Sequence, residues 1–102
     1  MKTIKLIDQA LSFNIQTFLQ AKGYRLNVDY VKMWDNILIA GSKSQVWSLH
    51  AKGCNYLLIK QQTSPYKVWI VEIEKELITP RLVKEYIEEG KPIVQESYLD
   101  YL

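Results

Sequence analysis

Two hydrophobic periods run along the chain, and the change from one to the other divides it. From about Ile4 to Lys22, the apolar side chains Ile7, Leu11, Ile15, Phe18 and Leu19 recur at steps of three and four, which is the stripe of an amphipathic α-helix. Lys22 and Gly23 supply the stop, since glycine accepts the left-handed conformation that closes a helix. Beyond Gly23 the period becomes two. Strands are predicted over Tyr24–Trp34, Ile37–Ala40, Gln45–Ala51, Tyr56–Gln62 and Lys67–Lys75. Asp35-Asn36 reads as a two-residue turn because both residue types tolerate positive φ. Gly41–Ser44, Lys52–Asn55 and Thr63–Tyr66 read as four-residue turns. Connections this short imply an antiparallel meander, because parallel neighbours need long crossovers.

A second helix is predicted after Thr79, a good N-cap, with Pro80 in the first helical position and Gly90 as its stop. Leu82, Val83, Tyr86 and Ile87 give it an apolar face, and Pro92 ends it. The tail from Ile93 to Leu102 has no clear period. The expected architecture is α+β in one domain over residues 1–102: an N-terminal helix, about five antiparallel strands, a C-terminal helix and a short tail.

Even-numbered turns preserve which side chains share a face, so the turns fix an expected register. Pairing Ala51 with Tyr56, and Gln62 with Lys67, forms the rows Leu49–Leu58–Val71 and Trp47–Lys60–Trp69 on one face. Met33, Val31, Leu38 and Ala40 join that face. The other carries Ser48–Ile59–Ile70 and Val46–Gln61–Val68, with Val28, Trp34, Ile37 and Ile39. Neither face is polar enough to be left to water, unlike a sheet with one wet side. Two helices cover one face, or one face each; any shortfall calls for a partner or a second copy, so a homodimer through the sheet is expected.

The Trp47–Lys60–Trp69 row is the candidate site, with Tyr66 and Lys67 beside it. A lysine between two indoles forms a cation–π stack, and an exposed aromatic row serves as an interaction hot spot. The competing reading makes the tryptophans core, with the Lys60 ammonium reaching past them to solvent.

Composition narrows the chemistry. The chain has 102 residues, 48% of them hydrophobic, enough for one packed core. Its net charge of +2 is unevenly spread: residues 1–67 hold nine Lys/Arg against three Asp, and residues 68–102 hold four against eight acids. Such a chain can steer a charged partner. A single cysteine, Cys54, and a single histidine, His50, leave too few ligands for a protein-only zinc site. No signal peptide and no membrane-length apolar run is read, and with the lone cysteine this gives a cytoplasmic expectation.

The residues that could carry an enzymatic pattern are few. His50 and Cys54 flank one turn, but Cys54 has no helix N-terminus behind it to activate a thiol. Glu72, Glu74 and Glu76 alternate and would share a side of the last strand, where paired carboxylates can hold a metal or work as acid and base. Lys75 is preceded two residues earlier by Ile73, so the acid–x–lysine pattern of restriction-type nucleases fails. There is no glycine-rich phosphate loop, and no cofactor is implied. The expected function is a small non-enzymatic interaction protein of adaptor, inhibitor or immunity type, binding another macromolecule, with a protein ahead of nucleic acid as partner. The alternatives are a nucleic-acid-binding module on the Trp47/Lys60/Trp69 face and, more weakly, a metal-dependent hydrolase or nuclease using Glu72 and Glu74.

Overall fold

The computed structural model describes residues 14–63, 67–89 and 102. It is an α+β fold: helix α1 (Ile15–Ala21), strands β1 (Tyr30–Ile39), β2 (Ser42–Ala51), β3 (Cys54–Gln61) and β4 (Val68–Glu72), a single 3-10 turn at Lys75–Leu77, and helix α2 (Pro80–Glu88). The four strands form one antiparallel sheet in the order β1-β2-β3-β4, the predicted meander with one strand fewer. The first predicted helix, over Ile4–Lys22, is not continuous, because Asn14 is extended and α1 starts after it; the part before Asn14, the stop at Gly90 and the tail up to Tyr101 lie outside the described residues.

Both helix starts rest on side-chain caps. The Asn14 Oδ1 accepts the Thr17 N–H at 2.9 Å, and the Thr79 Oγ1 accepts the Leu82 N–H at 3.3 Å with Pro80 at the first helical position. Caps of this kind contribute about 1 kcal/mol each. At the end of α1, Gly23 (φ +91°) lets its own N–H reach the Gln20 carbonyl and the Tyr24 N–H reach the Leu19 carbonyl. That is the predicted stop in its two-bond form.

The first two predicted strands are one. Asn36 does adopt positive φ (58°), the property for which a turn was expected there. It spends that conformation on a bulge instead of a reversal. β1 carries two extra residues relative to β2, one between Lys32 and Trp34 and one between Trp34 and Ile37. The reversal comes at Ala40-Gly41 (φ 51° and 76°), and the next hairpin turns at Lys52-Gly53 (φ 55° and 75°). Two successive positive φ values mark two-residue turns whose twist matches that of the strands. Residues 24–29 are loop, held by the Arg25 N–H donating to the Asp29 Oδ2 at 2.7 Å.

These shorter turns move the register. Ala51 pairs with Cys54 rather than Tyr56, a slip of two residues that keeps each side chain of β2 and β3 on its expected side. Between β3 and β4 the slip is one residue: Lys60 pairs with Val68, and Ile59 with Trp69. A slip of one turns every side chain to the opposite face, so β4 is flipped relative to the sequence expectation. The Gln61 side chain fixes this closure, accepting the Lys67 N–H at 3.1 Å and donating to the Ile39 carbonyl at 3.3 Å.

The expectation of two apolar faces is met, and the chain buries most of both. One face carries Tyr30, Trp47, Leu49, Tyr56, Leu58, Val68 and Ile70; the other carries Ile39, Val46, Leu57, Ile59, Trp69 and Val71; all are buried. Ile15 and Leu19 of α1 and Val83 and Ile87 of α2 join the same core, as does Leu102. The shortfall that motivated a sheet-to-sheet dimer is therefore absent from β3 and β4.

Candidate functional site

The predicted row Trp47–Lys60–Trp69 does not form. Trp47 stands across from Leu58, Lys60 from Gln45 and Val68, and Trp69 from Ile59 on the opposite face. Both indoles are core, 5% and 2% exposed. Lys60 is half-buried, and burial pushes its pKa below the usual lysine range. Lys67 is exposed, and Tyr66 lies outside the described residues. A cation–π contact does exist, with another lysine. Lys32, directly across from Trp47 on β1, holds its ammonium 5.4 Å from the Trp47 ring centroid, and the Tyr30 ring packs on the same indole at 5.8 Å. The Lys32 ammonium also reaches the Asp35 carboxylate at 3.5 Å.

The sheet separates the other proposed partners. Side chains alternate along each strand, so Cys54 lies on the Trp47 face and His50 on the Val46 face. They cannot act as nucleophile and base. Glu72, across from Tyr56, stands near Cys54 instead; its hydrogen bond to the thiol, with burial and its own charge, pushes the Cys54 pKa up. That is the reverse of thiol activation. β4 ends at Glu72, and Lys75–Leu77 turns as a 3-10 helix, so Glu74 and Glu76 do not continue a strand row. Among the described residues, no group of three His, Cys, Asp or Glu side chains is placed to hold a metal.

Three exposed apolar side chains gather at one place, while Leu26, Leu38, Leu77 and Leu82 are exposed elsewhere. Beside the first half of β1, a groove of about 670 Å³ opens between the strand, the loop before it and the segment after β4. Val28, Val31 and Met33 form its apolar wall and are 63%, 40% and 36% exposed. Ile78 and Lys75 face them from beyond β4, and Ser48, His50 and Asn55 contribute the polar lining from β2 and β3. The first bulge brings Met33 here: it is the extra residue between Lys32 and Trp34, on the edge strand. The polar groups of the groove are partly committed. The Asp29 carboxylate is tied to the Arg25 backbone and lies 3.7 Å from its guanidinium. The His50 Nδ1 and the Asn55 Oδ1 are 3.1 Å apart; with the amide oxygen accepting, the ring proton sits on Nδ1 and Nε2 is left as an acceptor.

Sequence reasoning placed Val31 and Met33 on the Trp47 face and so passed over this wall; Val31 in fact pairs with Ser48 on the opposite face, and Met33 is the extra residue of the first bulge. The available signal was their position: an outermost strand of a four-strand meander has one flank with no strand beside it, so apolar side chains there are only partly covered. Among the described residues, no helix is long and apolar enough to cross a membrane. No protein-family model matches this chain, and neither a curated protein nor a solved structure is similar to it.

Proposed function

We propose that this chain is a small, non-enzymatic interaction protein that docks another protein in the groove beside β1, with a second copy of itself as the first partner to test. The supporting observation is the concentration of exposed apolar side chains, Val28, Val31 and Met33, along one wall of that groove, while the aliphatic and aromatic side chains of β2, β3 and β4 are buried. Apolar side chains gathered beside a polar lining are the composition of a docking surface with a wet rim. A partner that buries the exposed remainder of these side chains gains a fraction of the about 1.5–3 kcal/mol that full burial of each contributes. The nucleic-acid reading loses its stacking platform, because Trp47 and Trp69 are buried on opposite faces. The metal-dependent reading loses its row of carboxylates at the end of β4.

Sedimentation equilibrium across the micromolar range tests the proposal. Self-association is expected, and Val31→Glu and Met33→Glu should each weaken it by about tenfold or more, equal to ~1.4 kcal/mol. Circular dichroism of both variants should match the parent. A chain that stays monomeric throughout, or whose self-association ignores both changes, overturns the second copy as partner and the groove as its seat.

A further inference from the structure

We draw no further inference here: the strongest candidate, the Ser48, His50 and Asn55 cluster on the floor of the groove beside β1, belongs to the site already described, and nothing in the structure shows what occupies it.

Discussion

Along β3, every side chain from Tyr56 to Ile59 is buried, whereas along β1 only the two end residues, Tyr30 and Ile39, are. Both strands are rich in apolar residues, so composition does not separate them. Position in the sheet does. β3 has a strand on each side and covered faces above and below; β1 has β2 on one side and, among the described residues, no strand on the other. The ladder between β2 and β3 runs eight pairs without a break, while the ladder between β1 and β2 is interrupted twice by bulges. Bulges at a sheet edge twist the strand and spoil it as a template for indiscriminate pairing. The protein thus concentrates its stability in β3 and β4 and leaves β1 free to present side chains.

That division is broken or upheld first by truncation. Trp69→Ala removes a large buried side chain from β4 and should lower the unfolding free energy by about 3–5 kcal/mol. Val31→Ala on β1 should change it by less than about 0.5 kcal/mol, because the side chain is exposed. Urea titrations of the two variants make the comparison directly. Similar losses in both would mean that β1 is as much part of the stabilising core as β4.

The hairpins provide the next test. At Gly53 a Cβ would meet nothing within 4 Å, so substitution there isolates the backbone cost of φ +75°. Gly53→Ala should cost about 1–2 kcal/mol for that reason alone. At the neighbouring position the strain is already present, since Lys52 holds φ 55° with a full side chain. Lys52→Asn should therefore stabilise the protein by a few tenths of a kcal/mol, about the advantage of a residue that tolerates the left-handed region. Thermal melts of both variants would show opposite shifts; a destabilising Lys52→Asn would mean that the Lys52 side chain contributes more than its backbone strain costs.

The same hairpins explain how much of the fold was legible in the sequence. The α+β class, the Gly23 stop, the Thr79 cap and the antiparallel order followed from period and punctuation, because those signals are local: Thr79-Pro80 reads the same in any context, whereas the Asn14 cap was hidden inside an unbroken apolar stripe. Register did not follow, because it depends on turn length, and Ala40-Gly41 and Lys52-Gly53 lack the Asn-Gly or Asp-Gly signature of their turn type. One residue of error between β3 and β4 was enough to place Trp69 beside Trp47 instead of behind it. The candidate site inherited that error. Asn36 is the instructive case: its capacity for positive φ was read correctly, yet a bulge and a turn use the same capacity, and the choice between them belongs to the partner strand.

A smaller effect bears on the Lys32–Trp47 pair, the contact that ties exposed β1 to buried β2. Lys32→Met keeps most of the apolar stem and removes the charge. A double-mutant cycle with Trp47→Leu should return a coupling of about 0.5–1 kcal/mol, the range for a cation–π contact near the surface. Zero coupling would reduce the contact to proximity and leave bulged β1 held by its backbone ladder and by the buried Tyr30 and Ile39 side chains.

The finest test needs no change in stability. Cys54 begins β3 next to the Lys52-Gly53 turn, at the place where the sealed part of the sheet meets solvent, and its half-buried thiol is pushed to a higher pKa first by its hydrogen bond to Glu72. A thiol whose folded pKa is raised binds its proton more tightly when folded. Its contribution to stability is present below the unfolded thiol's pKa and is lost as pH rises through the folded value. The same shift keeps the thiolate scarce near pH 8, so Cys54 should react with a disulfide reagent more slowly than an unfolded control. Glu72→Gln removes the carboxylate charge, and the rate at pH 8 should then rise several-fold toward that of a free thiol with a pKa of about 8.5. An unchanged rate would mean that access, and not the carboxylate across the strand pair, governs the thiol, and that burial extends past β3's first residue to the turn itself.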